Sequence, residues 1–252
     1  MAGNRLYMPF RKVHTSDERI VNGRFALLGS GLCFLCDSPL YKYESLLCTA
    51  CSKDLPWNIK ACPDCAMPTE EGVICANCLQ SHRRPVQNAI CAFRYEYPAS
   101  LMIQHMKFHS RLDIAAFFGR QMLKHAFQQR ISLPDCLIPV PLHPSRLAVR
   151  GFNQSLELAR ALTRVTWIPV EYRACTRTHN TMAQTDLSAQ QRRRNIKGAF
   201  KIDRGFLLKY RHVTIIDDVM TTGSTANELA RALSMAGVEQ IDVWACARAS
   251  IV

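Results

Sequence analysis

Long apolar runs are missing from this 252-residue sequence. No segment approaches the roughly 18 uncharged apolar residues that a membrane-spanning helix needs, so we expect no membrane span. The first 22 residues are polar and lack the apolar centre of a signal peptide, so we expect a cytoplasmic protein whose thiols stay reduced. No internal repeat is visible beyond one cysteine pattern. The composition, 48% hydrophobic and 21% charged, excludes a disordered chain and indicates a folded protein.

Cysteine, by contrast, is abundant, and the chain has 12. Eight of them form four Cys-x-x-Cys pairs inside 46 residues, and the other four are scattered. A disulfide framework would spread its cysteines more widely, whereas regular pairs in a reducing compartment are typical of metal ligands. The candidate ligands are Cys33, Cys36, Cys48, Cys51, Cys62, Cys65, Cys75 and Cys78.

Eight thiolates in this spacing predict two structural zinc ions. Two facing Cys-x-x-Cys turns supply four sulfur ligands in a tetrahedron, which suits zinc and leaves no open coordination position. Sequential pairing places the first four cysteines on one ion and the last four on the other, and it closes the shorter loops. An interleaved cross-brace, an iron–sulfur cluster and a metal-free thiol cluster are the alternatives. The segments between the cysteines lack long periodic apolar stretches, so we expect them to bury little apolar surface and metal to supply much of their stability.

Positive charge is in excess and is unevenly distributed. The formal net charge is +12, and residues 173–211 hold 10 lysine and arginine residues against 2 acidic residues. Such a segment attracts phosphate groups, either on a small molecule or on a nucleic acid. A solvated basic face without a ligand is the alternative.

By composition the chain divides into three parts. Residues 1–31 are predicted to be a poorly structured extension, residues 32–82 a double zinc ribbon, and residues 86–252 an α/β domain. In the third part apolar strands alternate with amphipathic helices, which predicts a parallel sheet flanked by helices. Strands are predicted at 89–95, 136–140, 170–175, 213–216 and 240–247, and helices at 98–108, 113–129, 153–163, 187–197 and 224–235.

The segment 213–226, VTIIDDVMTTGSTA, has the most specific chemistry. An apolar strand ends in Asp217 and Asp218, a turn rich in hydroxyl groups follows, and a helix then begins. The free backbone N–H groups of the helix N-terminus and the hydroxyl groups of the turn predict an anion pocket. The two carboxylates would bind the hydroxyl groups of a ribose that bears the phosphate, and assist a divalent cation. A capped strand–turn–helix without a ligand is the alternative. The pocket residues are Thr221, Thr222, Gly223, Ser224 and Thr225.

This segment resembles the motif with which type I phosphoribosyltransferases bind 5-phosphoribosyl 1-pyrophosphate (PRPP). More narrowly, residues 32–248 are similar to the ComF family, which includes GntX-like and DNA-utilization proteins. The resemblance rests on the cysteine array and on PVPLHPSR at 139–146, RGFNQ at 150–154, TRT at 176–178 and GAF at 198–200. It implies a double zinc ribbon followed by a type I phosphoribosyltransferase-like parallel sheet flanked by helices.

The resemblance also implies roles for individual residues. The loop after the first core strand would bind pyrophosphate through Arg146 and Arg150, with a magnesium ion on the leaving group. Asp217 and Asp218 would be the catalytic pair. Residues 177–194 correspond to a mobile segment that covers the site.

Three arginines within that segment are candidates for nucleic-acid binding. Arg192, Arg193 and Arg194 would contact a nucleic-acid backbone. A place in the small-ligand site and a solvated helix are the alternatives.

For the function, the resemblance implies a competence protein of natural transformation and DNA uptake. Such a protein would bind PRPP and single-stranded DNA and would work beside a competence DNA translocase or helicase. Two alternatives stay open. An active phosphoribosyltransferase, that is a glycosyltransferase, would need an acceptor, and no feature of the sequence identifies one. A PRPP-sensing regulator would keep the acid pair without turnover.

Overall fold

Short elements form the cysteine-rich part of the chain. The computed structural model describes residues 28–41, 44–80, 85–178, 196–203, 205 and 209–250. Strand β1 (Leu28–Leu32) pairs antiparallel with β2 (Pro39–Tyr41). Two helices of about one turn, α1 (Thr49–Lys53) and α2 (Ala76–Leu79), each begin directly after a cysteine that occupies the N-cap position. These elements place one cysteine pair opposite another in each ribbon.

A four-stranded parallel sheet forms the centre of the C-terminal part. The described strands of this part are β3 (Ala89–Arg94), β4 (Cys136–Pro139), β5 (Cys175–Arg177), β6 (Phe200–Ile202), β7 (His212–Met220) and β8 (Gln240–Arg248). The sheet has the order β3-β8-β7-β4, and every neighbouring pair is parallel. Strands β5 and β6 form a separate antiparallel hairpin.

Helices cover both faces of this sheet. Those in the described part are α3 (Ala99–Phe108), α4 (Leu112–Gln128), α5 (Pro144–Arg150), α6 (Gln154–Thr166) and α7 (Ser224–Met235). Side chains alternate between the two faces of a strand. Ile216 and Trp244 pack in one apolar cluster with α3, α4 and α6, while their neighbours Ile215 and Val243 pack in a second with α7 and the β5–β6 hairpin. The predicted α/β class, a parallel sheet between helices, is confirmed.

One glycine sets the distance between two of these helices. A Cβ atom on Gly119 of α4 would lie 2.8 Å from the Cβ atom of Ala161 on α6, closer than two such atoms can come. Only glycine therefore permits this approach without a shift of one helix. The contact thus lets α6 pack closely against α4.

The first ribbon is packed into the core of the α/β part. Leu46, Leu47 and Leu55 are buried in the same apolar cluster as α3 and α4. The ring of Phe34, between the first two cysteines, packs edge-on against His105 of α3 at 5.1 Å between ring centroids. The ribbon therefore shares apolar contacts with the larger part of the chain and is not an independent appendage.

The chain from Pro56 to Pro63, which joins the two ribbons and enters the second, covers the outer edge of β3. Three backbone hydrogen bonds join them: Arg94 N–H donates to the carbonyl of Pro56 at 2.7 Å, Asn58 N–H to that of Ala92 at 3.0 Å, and Ala89 N–H to that of Pro63 at 2.9 Å. An open strand edge invites pairing with other chains, and this segment occupies it.

Most predicted elements occur close to their predicted positions, with two differences. The strand predicted at 213–216 continues to Met220, because β8 beside it pairs with it as far as Arg248. The strand predicted at 170–175 is wrong: Val170 makes a single parallel bridge to Leu137, and the chain then turns before β5 begins.

Other sequence predictions meet the limits of the described residues. The helix predicted at 187–197 lies almost wholly outside them, as does most of the extension at 1–31, whose predicted end falls inside β1. Among the described helices, none has the length and apolar character needed to cross a membrane.

Candidate functional site

The eight paired cysteines form two groups. Cys33, Cys36, Cys48 and Cys51 make the first, and Cys62, Cys65, Cys75 and Cys78 make the second; within each group all four sulfurs lie within 4.8 Å of one another. The grouping is sequential rather than interleaved.

The sulfur positions fit zinc. Four sulfurs at about 2.3 Å from one ion are separated from each other by about 3.8 Å in a tetrahedron. The Sγ atoms of Cys36 and Cys48 are 3.7 Å apart, and so are those of Cys65 and Cys75, while Cys78 Sγ lies closer, at 3.4 Å from Cys62 Sγ and 3.2 Å from Cys75 Sγ. Backbone N–H groups also point at the sulfurs, as the N–H of Cys48 does towards Cys33 Sγ at 3.3 Å. Each group therefore offers one closed four-thiolate site, which is a structural arrangement.

The acid pair lies near the carboxyl end of β7. Asp217 Oδ1 accepts hydrogen bonds from the hydroxyl of Ser155 at 3.3 Å and from the backbone N–H of Asp218 at 2.9 Å. Asp218 Oδ2 lies 2.9 Å from Lys107 Nζ at the end of α3. Helices α3 and α6 thus each bring a polar side chain to the pair.

The electrostatics of the pair are those of a partly desolvated site. Burial, followed by the charge of Asp218, raises the pKa of Asp217 to about 7. Burial alone would lower the pKa of Lys107, but the charge of Asp218 and the hydrogen bond to it outweigh burial and raise that pKa. The site therefore holds the Lys107–Asp218 ion pair beside a carboxyl group, Asp217, that gains or loses its proton near neutral pH.

A hydroxyl-rich loop follows β7 and leads into α7. Gly223 is the N-cap residue, with φ 73° in the left-handed region that favours glycine, and it supplies no side-chain cap. The hydroxyl groups of Thr222 and Ser224 are 2.6 Å apart, and Ser224 N–H donates to Thr222 Oγ1 at 3.3 Å. The 12-residue helix behind the loop adds the positive end of its dipole. This arrangement suits a phosphate group.

Three arginines, Arg146, Arg150 and Arg177, influence one another electrostatically. Burial, and then the charge of Arg150, lowers the pKa of Arg146; burial, and then the charge of Arg146, lowers the pKa of Arg177, while Asp217 opposes that shift. The guanidinium group of Arg150 donates to Gln154 Oε1 at 3.2 Å. Arginines whose positive charges repel each other in this way are stabilised in their charged form when a polyanion binds.

The structure thus places the predicted acids and the predicted loop residues at the same end of β7, while the charge of Arg150 acts on Arg146, also of α5, and that of Arg146 acts on Arg177. Two cations at the site, Lys107 and Arg177, were absent from the predicted set, and the resemblance at TRT 176–178 was the available signal for the second. Arg192, Arg193 and Arg194 lie outside the described residues.

Comparison with known proteins identifies relatives of the ribbon part and of most of the chain. The family of the double zinc ribbon domain matches residues 26–79. DNA utilization protein YhgH of Escherichia coli O157:H7 is 38% identical over 225 residues, which cover 86% of this chain and 97% of that protein. Competence protein F of Haemophilus influenzae is 35% identical over 226 residues, with 86% and 96% covered.

A comparison with solved structures is much weaker. The allosteric regulatory enzyme of purine biosynthesis matches 57% of this chain and 30% of its own chain, with 18% identity and a TM-score of 0.38. A score this low supports no conclusion. The relatives, by contrast, match over nearly their whole length, and this chain therefore belongs to the ComF family, with DNA utilization protein YhgH and competence protein F.

Proposed function

We propose that this protein acts in DNA utilization and natural competence, and that its α/β domain binds PRPP with magnesium. The observation that carries the proposal is the acid pair, Asp217 and Asp218, which precedes a hydroxyl-rich helix N-terminus and has Lys107 in contact with Asp218. PRPP has an anionic group at each end of a ribose, and this site combines two carboxylates with a helix N-terminus and with arginines that could each bind such a group.

Each part of the ligand has a candidate partner. The 5-phosphate would bind the N-terminus of α7 and the hydroxyl groups of Thr222 and Ser224. The ribose hydroxyl groups would donate to the two carboxylates. The diphosphate would bind Arg146 and Arg150, whose guanidinium groups can each hold two oxygens, with the buried Arg177 close enough to interact with Arg146.

The carboxyl group of Asp217 couples binding to pH. With a pKa near 7, this group is only partly ionised at neutral pH. A magnesium ion bound with the diphosphate would neutralise charge on the leaving group. Nearby positive charge favours the ionised carboxylate, so ligand binding with the cation should release a proton.

Two uses of such a site are compatible with the geometry. A glycosyltransferase would pass the ribose to an acceptor and release diphosphate, whereas a sensor would bind PRPP without turnover. Release of diphosphate in the presence of candidate acceptors distinguishes the two. The acid pair and the arginines would have the same binding roles in both.

The proposed role with DNA rests on the relatives and on charge. The names of the matched proteins refer to DNA utilization and to competence. The excess of positive charge in residues 173–211 favours a polyanion such as single-stranded DNA. We place the protein in the cytoplasm beside a DNA translocase or helicase, with two structural zinc ions in the ribbons.

The test is calorimetric titration of the full-length, zinc-loaded protein with PRPP and magnesium. The double change Asp217→Asn and Asp218→Asn should abolish binding, because neutral amides replace the carboxylates at the ribose. The matched control changes two adjacent exposed acids of the second ribbon, Glu70→Gln and Glu71→Gln, and should bind like the wild type.

Circular dichroism of each variant checks that it has folded. If the wild type does not bind millimolar PRPP, the PRPP assignment is wrong. If the double Asn variant binds like the wild type, the role given to the acid pair is wrong.

A further inference from the structure

Arg248, the last residue of β8, has a buried guanidinium group that contacts two separate parts of the chain. Only 3% of this residue is exposed. Its Nε atom donates to the carbonyl of Cys65 at 2.9 Å. Its Nη1 atom donates to the carbonyl of Met220 at 2.9 Å and to that of Thr221. The first contact is with a candidate zinc ligand, and the other two are with the start of the hydroxyl-rich loop.

The contact with Cys65 is part of a rigid attachment of the second ribbon. Asn58, which is 1% exposed, donates from Nδ2 to the carbonyl of the next residue, Ala66, at 2.9 Å. Two successive carbonyls of the Cys62–Ala66 turn are therefore held by buried side chains. Because zinc would fix the sulfur of Cys65, the position of its carbonyl depends on whether the metal is bound.

The contacts with Met220 and Thr221 fix the backbone that leads into the loop. The residue after β8 supports the same point, since Ala249 N–H donates to the Met220 carbonyl at 2.9 Å. A guanidinium group is planar and holds its donors at fixed separations. Displacement of the Cys65 carbonyl should therefore displace the loop carbonyls or break their hydrogen bonds.

We propose that Arg248 is a positioning residue that couples the second cysteine cluster to the anion-binding loop at residues 221–225. Metal in the second cluster holds the loop in its binding conformation. Coupling between two binding sites is reciprocal, so an anion on the loop should in turn retain metal in that cluster. The ligand half of this proposal, that a bound anion retains metal, rests on the proposed function. The metal–loop half, that metal in the second cluster orders the loop, does not.

The first cluster provides an internal comparison. Its ribbon contacts other elements: Phe34 packs on His105 of α3, and Ser45 accepts a hydrogen bond from Arg120 of α4 at 2.6 Å. Metal loss from the first cluster should therefore loosen α3 and α4 before it affects residues 221–225.

The first experiment needs no ligand and uses the full-length, zinc-loaded protein. Hydrogen exchange by mass spectrometry is followed in peptides that cover residues 220–228. Cys75→Ser removes one sulfur from the second cluster, and Cys36→Ser removes one from the first. Exchange in the loop should rise at least about fivefold in Cys75→Ser, the lower end of typical coupling between sites, and stay within about twofold of the wild type in Cys36→Ser. Equal exchange in the two variants would overturn the proposal.

The role of Arg248 is tested by Arg248→Met and by the milder Arg248→Lys. The matched control is Arg94→Met, because Arg94 is the β3 residue paired with Arg248, and its side chain is 44% exposed. Arg248→Met should raise loop exchange and also speed alkylation of the second-cluster cysteines in the presence of a zinc chelator. Arg248→Lys, which keeps the charge but lacks the planar donor pair, should give a smaller effect. If neither variant differs from Arg94→Met, Arg248 does not couple the two sites.

The ligand half of the proposal is tested by the same alkylation assay, with PRPP and magnesium present. PRPP should slow alkylation of Cys62, Cys65, Cys75 and Cys78 at least about fivefold and leave the first cluster unchanged. If PRPP binds but gives no protection, the coupling is refuted and the proposed function stands. If PRPP does not bind at all, the proposed function fails, and the exchange experiment still decides the metal–loop half.

Discussion

Lys107 Nζ lies 2.9 Å from Asp218 Oδ2, so the last turn of α3 holds a cation against the acid pair of β7. Both side chains are largely buried, with 19% and 14% exposed. Two adjacent carboxylates in a desolvated position would repel each other, and this ammonium group offsets that repulsion. The helix that packs on the sheet therefore also sets the charge state of the candidate site.

Removal of this cation should destabilise the protein. Lys107→Met leaves Asp218 in a partly buried position without its partner, and loss of one member of a buried pair costs about 3–5 kcal/mol. Because some exposure remains, we expect about 2–3 kcal/mol, measured by urea unfolding at pH 8. Lys124→Met, at an exposed position on α4, is the control and should change stability by less than about 0.5 kcal/mol. Equal losses in the two variants would contradict the role of Lys107.

Stability should depend on pH through Asp217. Its pKa is raised to about 7 in the folded protein from 3.8, so between these values the folded chain holds a proton that the unfolded chain has lost. The contribution of this group to stability is therefore greatest below its unfolded pKa of 3.8, and it is lost as the pH rises from there to the folded pKa of about 7. Asp217→Asn removes the cost of the buried charge and should stabilise the ligand-free protein more at pH 8 than at pH 5. The difference should be on the order of 2 kcal/mol, or several degrees in Tm. A gain that is independent of pH would contradict the raised pKa.

The two ends of the proposed ligand should be separable by mutation. Arg146→Gln should weaken PRPP binding but leave ribose 5-phosphate binding unchanged, since it removes a partner of the diphosphate only. Thr222→Ala should weaken binding of both compounds. Loss of one hydrogen bond to a charged group costs about 1.5–3 kcal/mol, which corresponds to roughly 10- to 150-fold in Kd by calorimetry. If Arg146→Gln weakens both compounds equally, the orientation proposed for PRPP is wrong.

Metal content is a direct test of the cysteine clusters. The purified protein should contain about two zinc ions per chain, because eight sulfurs form two groups of four. Elemental analysis measures the ratio, and an absorption spectrum checks for iron–sulfur clusters. Cys91→Ser changes a buried cysteine outside both groups and should leave the ratio at two. Visible absorbance with iron, or a ratio near zero, would contradict the zinc assignment.

The sequence predicted the parts of the site that are formed by residues close together in the chain. The spacing of the cysteines and the order strand, acids, loop and helix lie within short segments, so the chain itself fixes which groups come together. Lys107 and Arg248 were not predicted, because they reach the site only through the packing of α3 on the sheet and the pairing of β8 with β7. Neither contact leaves a pattern in the residues around it. The C-terminal end of β7 was predicted too early for the same reason, since the strand continues past the two acids only because β8 pairs with it.

The basic segment should contribute to binding of single-stranded DNA. The triple change to alanine at residues 192–194 removes three positive charges, and each charge that neutralises a phosphate contributes about 0.7 to the slope of log affinity against log salt. We therefore expect weaker binding and a slope that is smaller by roughly 2, measured by fluorescence anisotropy with labelled oligonucleotides of different sequence. The control removes the same net charge at three exposed positions, Lys53, Lys60 and Lys124, and should change the slope little. An unchanged slope in the first variant, with reduced PRPP affinity, would assign these arginines to the small-ligand site. Equal slope changes in both variants would mean that DNA responds to net charge alone and has no site at residues 192–194.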